Sequence, residues 1–320
     1  MRLWRGIVVA LALLTSNAAA QSYPTKPIRL IVTFTAGGAI DVLSRLLADQ
    51  LSARLGERVV VEDRAGMGGT LGADVVAKAP PDGYTLVTAS AASHAINKAL
   101  FRRIPYDPEK DFTPVSMFAV VPTVLVVNPT LPVHTVDEFI AEAKRRPGQI
   151  NYASIGNGSS QHLAGAYFEL KAGVQLQHVP YKEVGSITKD LVSNDVQAGF
   201  LFISNVLSVI QADQVRALAV TSRTRVPALP DLPTMIEAGL PDYEYVNWFG
   251  VMGPAGLPPE IVERLHQAIA AACRNPELRK RFADLGAVPV GDNPATFARF
   301  VHDEIPKWAT IVKASGARID

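Results

Sequence analysis

Short runs of β-branched and aromatic residues alternate with stretches of helical apolar spacing along nearly the whole chain, and glycine- or serine-rich turns separate them. This alternation constrains the fold more than any other feature. Strands joined through helices pair in parallel, and the helices then cover both sheet faces. Residues 28–34 (IRLIVTF) read as a strand closed by Ala36-Gly37-Gly38. Apolar residues at Ile40, Leu43, Leu46, Leu47, Leu51 and Leu55 then recur with helical spacing until Gly56 stops them. Residues 58–62 (RVVVE) form a second strand. The glycine-rich 65–73 (AGMGGTLGA) leads into another helix, and a third strand follows at 84–88.

The middle of the chain repeats that grammar. Thr135-x-x-Glu138 is a capping box that opens a helix to about Arg146. Strands follow at 150–154 (INYAS), 177–181, 196–203 and 216–221, with a glycine-serine turn, 156–160 (GNGSS), before the helix that carries Leu163, Tyr167 and Leu170. Two extended runs, 121–128 and 247–253, flank this second unit, and their spacing predicts two crossings between lobes. The C-terminal stretch reads as helices over 259–274, 277–285 and 294–315, with Pro306 expected to kink or divide the last. The fold class expected is therefore α/β with two α/β lobes: 21–122 plus 247–320 in the first and 123–246 in the second.

The first 20 residues stand apart. Arg2 and Arg5 precede a short apolar run and a small-residue end, TSNAAA, which is the pattern of a secretory signal peptide cleaved after Ala20. The apolar run is far shorter than the roughly 20 residues that a bilayer span needs. Removing the leader takes two of the 31 basic residues with it and leaves a near-neutral, slightly acidic chain. A chain so balanced lacks the basic surface that broad nucleic-acid binding requires. Its single cysteine, Cys273, excludes an intrachain disulfide and a cysteine-rich metal site, and its place among Ile261, Leu265, Ile269 and Ala272 predicts burial.

Few residues suggest catalysis. None of the six histidines sits in a metal-binding spacing, and no G-x-S-x-G elbow is present. Ser159 and His162 come nearest to a nucleophile and base, but an orienting third group is missing. Gly66-x-Gly68-x-x-x-Gly72 loosely resembles a dinucleotide turn, yet its spacing differs and it follows the second strand; a tight strand-to-helix turn explains it better. No cofactor and no metal are implied. The stronger signal is three donor-rich turns at the carboxyl ends of strands: Ala36-Gly37-Gly38, Ser90-Ala91-Ala92-Ser93-His94, and residues 154–160. Ligands bind at such strand ends, and helix starts offer unpaired N–H groups that suit anions. Two such turns on facing lobes would clamp one carboxylate without an arginine.

At these residues the chain resembles the Bug-type substrate-binding proteins of tripartite tricarboxylate transporters. The resemblance rests on Tyr23-Pro24-x-Lys26-Pro27-Ile28, Ala36-Gly37-Gly38-x-x-Asp41, Arg64-x-Gly66-x-Gly68-Gly69, Pro81-Asp82-Gly83-Tyr84-Thr85, Asn151-Tyr152-Ala153-Ser154, Gly156-Asn157-Gly158-Ser159, Val179-Pro180-Tyr181-Lys182 and Trp248-Phe249-Gly250. It covers essentially all of 23–318. It implies a type II periplasmic binding fold of two lobes joined by crossing hinge strands, closing around a di- or tricarboxylate or an aromatic acid. It also implies no catalysis, a periplasmic location and delivery to a membrane transporter. An exported signalling receptor of the same fold is the alternative, with a periplasmic hydrolase using Ser159 and His162 behind it. The chain is expected to act as a monomer.

Carried over from the resemblance, Phe34, Ala36, Gly37 and Gly38 form one carboxylate loop, partly through water, and Ser154, Gly158, Ser159 and Ser160 face it. Ser90, His94, His162 and Tyr181 are further candidates. Asp41 is included with them, although capping its helix or bracing the loop suits it better than touching an anion, and Trp248 is expected to pack at the hinge. Thr33 stands where the family usually has proline. Glu183-Val184-Gly185 departs from the family's continuation of the tyrosine-lysine pair. Phe200-Leu201-Phe202 occupies the region where amino-acid-binding members offer an aspartate. The ligand is therefore expected to lack a cationic amine and to carry an apolar or aromatic body.

Overall fold

The computed structural model describes residues 23–318; the leader inferred for 1–20 lies outside the described residues. The chain enters the sheet with β1 (Ile28–Val32), buried on both faces save for Arg29, as a central parallel strand should be. It turns through 33–38 into α1 (Ala39–Leu55), whose Ile40, Leu43, Leu47, Leu51 and Leu55 are all buried; Gly56 ends the helix in a left-handed conformation. After β2 (Val59–Asp63), the backbone at Gly66, Met67, Gly68 and Gly69 has positive φ throughout. The glycine-rich run is thus a tight turn into α2 (Thr70–Ala77). A methyl at Gly72 would lie 2.8 Å from the Arg64 carbonyl, so that position is fixed by close packing.

Strand β3 (Thr85–Ser90) is buried throughout and gives way to a wide helical turn, Ala92–Ile96, and the short α3 (Asn97–Leu100). Next comes the longest strand, β4 (Phe112–Val127), which begins nine residues before the extended run expected from the sequence. Pro114 and Pro122 disguise it, since proline cannot donate to a ladder. The strand tolerates them with register shifts between Pro114 and Ser116, and with Pro122 where its pairing with the last long strand ends.

In the second unit, α4 (Val136–Arg145) starts at the expected capping box: Thr135 Oγ1 accepts from Glu138 N–H at 3.1 Å, and Glu138 Oε2 accepts from His134 N–H. Then come β5 (Asn151–Ser154), α5 (Ser160–Ala172), β6 (Gln177–Pro180), α6 (Val184–Ser193), β7 (Ala198–Phe202), α7 (Ile203–Gln211) and β8 (Arg216–Val220). The chain returns along β9 (Val246–Pro254) and closes with α8 (Pro259–Cys273), α9 (Pro276–Asp284), the two-residue β10 (Val288–Pro289) and α10 (Pro294–Ser315). Pro306 does not divide α10, which runs through it. The carbonyl that proline leaves without its helical donor belongs to His302, an exposed residue.

Strand order is β2-β1-β3-β9-β4-β7-β5-β6, with β8 and β10 also paired to β4. The sheet is mixed rather than purely parallel, because β9 and β4 run antiparallel to their neighbours. Strand β4 serves both lobes: residues 112–122 pair with β9, and residues 123–127 pair with β7 and β8. Helices α1, α8 and α9 cover one face of the first lobe, while α6 and α7 cover the corresponding face of the second.

The remaining core is continuous beneath both lobes and includes Tyr152, Phe168, Trp248, Phe297 and Trp308. Helix α10 packs on α5 of the second lobe and on α3 of the first. Buried Glu304 anchors it, accepting from Trp248 Nε1 at 3.2 Å, Trp308 Nε1 at 2.6 Å and Lys307 Nζ at 2.6 Å. Trp248 therefore packs at the lobe junction, against Phe297 and Phe300.

Candidate functional site

A cleft of about 500 Å³ lies where the carboxyl ends of the strands from both lobes meet. The first lobe supplies Phe34, Thr35, Gly38, Ala39 and Ile40 from the β1–α1 loop, and Gly68 from the glycine turn. It also supplies Ser90, Ala91, Ala92, Ile96, Asn97, Leu100 and Phe101 after β3, and Asn247 and Phe249 from β9. The second lobe supplies Ile155, Asn157, Gly158, Ser159, Ser160 and Gln161 before and at the start of α5, and Phe202 at the end of β7. Not one charged side chain lines it.

Its polarity comes from backbone. Gly38 is the N-cap of α1 and has no side-chain cap, so the first-turn N–H groups of α1 reach the cleft unspent. Ser159 caps α5 by accepting from His162 N–H at 3.3 Å, which leaves the N–H groups of Ser160 and Gln161 beyond that cap. The turn at Ala91 and Ala92 lines the same cleft. Partial positive charge from two long helices therefore falls on one volume, which is what an anion without an arginine partner needs.

Side chains fix these starts. Asp41 is buried and turned away from the cleft: its Oδ2 accepts from Gly37 N–H at 2.7 Å and its Oδ1 pairs with Arg45 at 2.6 Å. It thus takes up the Gly37 N–H and ties the loop to α1. Arg45 also reaches Asp63 at 2.6 Å. Ser160 Oγ donates to Asn247 Oδ1 at 2.6 Å, joining α5 to the first residues of β9. Tyr245 donates its hydroxyl proton to the Ser160 carbonyl at 2.5 Å and stacks edge-on against Trp308, which couples the α5 start to α10.

Of the residues singled out from sequence, Phe34, Gly38, Ser90, Gly158, Ser159 and Ser160 line the cleft together. Ala36, Gly37, Asp41, His94, Ser154, His162 and Tyr181 are not among the lining residues. His94 is fully buried, with Nδ1 on Ser93 Oγ at 2.8 Å and its ring against Phe112; burial pushes its pKa down to about 3. His162 stacks on His178 at 4.0 Å, and its Nδ1 accepts from Gly158 N–H at 3.0 Å. Burial, with the neighbouring His178, pushes its pKa down to about 4. Ser159 Oγ thus meets the backbone of His162 rather than its ring, so the two do not form a nucleophile–base pair. Ser154 Oγ bonds His178 Nε2 and Gly156, and the Tyr181 hydroxyl donates to Asp190 at 2.8 Å.

Residues that the sequence did not single out complete the wall. Gln161 and Asn247 are buried in it, and neither the Gln161 amide atoms nor Asn247 Nδ2 has a hydrogen-bond partner among the described residues. Asn97 spends its Nδ2 on the Gly68 carbonyl at 2.9 Å and Thr70 Oγ1 at 3.1 Å, tying the glycine turn to the cleft wall. Ile96, Leu100, Phe101 and Ile155 form an apolar side; Ile155 belongs to the turn at 154–160 and its neighbour Phe202 to an apolar run, but neither pattern announces that they meet Leu100 and Phe101. Among the described residues no group of three or more His, Cys, Asp or Glu could hold a metal ion.

This geometry has known counterparts. The model of the tripartite tricarboxylate transporter family receptor matches residues 43–317. The chain is 40% identical to Protein BugT of Bordetella pertussis over 315 residues, which are 98% of this chain and 97% of that one. It is similar in structure to R. palustris Rpa4515 solved with adipate, with a TM-score of 0.76, 38% identity, and coverage of 93% of this chain and all of that one. MatC of Rhodopseudomonas palustris, solved with bound malate, aligns with a TM-score of 0.71 and 32% identity, covering 91% of this chain and 100% of that one.

Proposed function

The chain belongs to the tripartite tricarboxylate transporter receptor family, and on that premise we propose that it captures a small carboxylate between its lobes and hands it to a membrane transporter. One observation carries this reading: N–H-rich helix starts from both lobes converge on a cleft that holds no charged side chain. Hydrogen bonds to a charged group contribute about 1.5–3 kcal/mol each. Four or five of them, less desolvation and ordering, reach the roughly −8 kcal/mol of micromolar binding. The adipate and malate held by the two solved relatives are ligands of this class.

Gly38 and the first turn of α1 hold one side of the carboxylate. Ser159, Ser160 and Gln161 hold the other, while Gly158, whose N–H is taken by His162 Nδ1, shapes the loop, and Ser90 lines the same cleft. Ala36, Gly37 and Asp41 set the shape of the first loop, and His162, His178 and Ser154 set that of the second. Lobe boundaries fall at 122/123 and 246/247, where β4 and the start of β9 cross, and closure is a hinge motion about those crossings. The leader at 1–20 directs the chain to the periplasm. Among the described residues no helix is long and apolar enough to cross a membrane.

Thermal denaturation against a panel of carboxylates tests the reading. A ligand that binds the folded state alone raises the midpoint with concentration. A midpoint unmoved by every acid, or an acid consumed with time, would refute it.

A further inference from the structure

Resting on the carboxylate-receptor reading, we infer that the buried amides of Gln161 and Asn247 determine specificity: they read a hydroxyl on the carbon next to the ligand's carboxylate. Both residues line the cleft, Gln161 from the start of α5 and Asn247 from the start of β9. Gln161 is 1% exposed and Asn247 8%. Neither Nε2 nor Oε1 of Gln161 has a hydrogen-bond partner among the described residues, and Asn247 Nδ2 has none either. No other buried side-chain nitrogen or oxygen among the residues lining the cleft is left so. Ser90 Oγ meets Ser93 Oγ at 3.0 Å, Ser159 Oγ accepts from His162 N–H, and Asn97 Nδ2 is bonded to Gly68 and Thr70. A buried amide ordinarily finds a partner, because without one it forfeits the hydrogen bonds it made in water. Leucine at either position would pack a hydrocarbon body as well and leave nothing unpaired.

The free atoms specify the group they fit. Gln161 offers an acceptor and an NH₂ donor, whereas Asn247 spends Oδ1 on Ser160 Oγ at 2.6 Å and offers only its NH₂. A hydroxyl matches this set: its oxygen accepts from an amide N–H and its proton goes to Gln161 Oε1. A carboxylate only accepts, so it brings no proton for Oε1. An ammonium only donates, so it opposes the Asn247 N–H. A methylene leaves all three atoms unpaired. The hydroxyl belongs beside the carboxylate, because Gln161 also gives that group a backbone N–H and Asn247 is held to Ser160, the residue before it. Gln161 comes from the second lobe and Asn247 from the first, so the two amides grip the hydroxyl as the hinge closes. A ligand entering the open form thus reaches atoms that the closed lobes shield from water.

Titration calorimetry on the mature protein tests the inference with two series that differ only at the carbon next to the carboxylate: malate, succinate and aspartate, and mandelate, phenylacetate and phenylglycine. In at least one series the hydroxy acid is expected to bind tighter than both its partners, by on the order of tenfold or more. Gln161→Met and Asn247→Ala remove the amides one at a time. Each should bring the hydroxy-to-deoxy affinity ratio down to about threefold or less, a readout that a general loosening of the site, weakening both acids alike, would not move. Hydroxy acids that fail to outbind their partners in both series, while some acid of the carboxylate panel binds, overturn the inference and leave the carboxylate reading intact. A hydroxyl preference that persists undiminished in both variants overturns the assignment to Gln161 and Asn247. No binding by any acid overturns the carboxylate reading and this inference with it.

Discussion

Gly38→Leu separates the binding role of the first loop from its structural role. Gly38 has φ −74° and ψ 164°, an extended conformation open to any residue. A Cβ there meets only the Thr35 carbonyl, at 3.6 Å, which is ordinary contact. The fold should therefore survive. Leucine is a poorer N-cap than glycine, so about 1 kcal/mol of stability is lost, a fall of about 2 °C in Tm for a chain of this length.

Binding should suffer far more, because the side chain stands in the cleft over the first turn of α1. Blocking two charge-assisted N–H contacts at about 1.5–3 kcal/mol each removes about 3–6 kcal/mol, or on the order of a hundredfold to ten-thousandfold in Kd. The neighbouring glycine is the control. Gly37 has φ +84° with nothing within 4 Å, and its N–H is held by Asp41. Gly37→Ala then costs about 1–2 kcal/mol through backbone strain alone, and it weakens binding only as far as the loop shifts. Calorimetry with the tightest acid of the panel, run beside thermal denaturation, reads both. Gly38→Leu that folds and binds within threefold of the parent would remove the α1 start from the site.

Other outcomes are equally open to measurement. Glu304→Ala strands two indole N–H groups and the Lys307 ammonium; it should lose about 3–5 kcal/mol in urea unfolding and shift the tryptophan emission, whereas Glu304→Gln should lose less, and equal losses would contradict the ion-pair account. His162 must stay neutral to accept from Gly158. Its folded pKa of about 4 lies below the unfolded value of about 6.5, so its contribution to stability is full above about pH 6.5 and drains away as pH falls through about 4. Urea midpoints at pH 7, 5.5 and 4.5 should show His162→Gln losing less than the parent, and parallel losses would exclude this role. Cys273 is buried, its thiol pushed up to about 12 by burial. It should resist a thiol reagent in the native protein and react on unfolding; fast native labelling would contradict its placement.

The strand–helix alternation made the architecture readable because apolar periodicity survives tertiary context in long amphipathic elements such as α1, α4 and α8. It failed where punctuation and structure disagree. Strand β4 hid behind Pro114 and Pro122, and α7 starts at Ile203 directly from β7, with no glycine or proline to mark the change. Pro306 looked like a break, yet it falls where helix α10 exposes the affected carbonyl.

In the cleft, the backbone-donating turns were legible, since Gly38 and Ser159 sit at helix starts that sequence marks. Side chains brought in from distant segments were not. Nothing in the local pattern tells that Asn247 meets Ser160 across 87 positions, or that Leu100 faces Gly158 from the other lobe. His94 and His162 drew attention as titratable groups beside those turns. Both are buried, His94 against Ser93 and Phe112 and His162 against Gly158 and His178, placements decided by packing that no single-chain pattern encodes.

The central claim is that backbone amides from both lobes hold one carboxylate with no bond made or broken. A crystal structure of the protein with the tightest carboxylate of the panel tests it most directly. The converging helix starts predict both carboxylate oxygens within about 3.1 Å of N–H or hydroxyl donors drawn from Gly38 to Ile40 on one side and Ser159 to Gln161 on the other, directly or through a single water, with the acid intact. A carboxylate lodged among Leu100, Phe101 and Ile155, or outside the cleft, would contradict it.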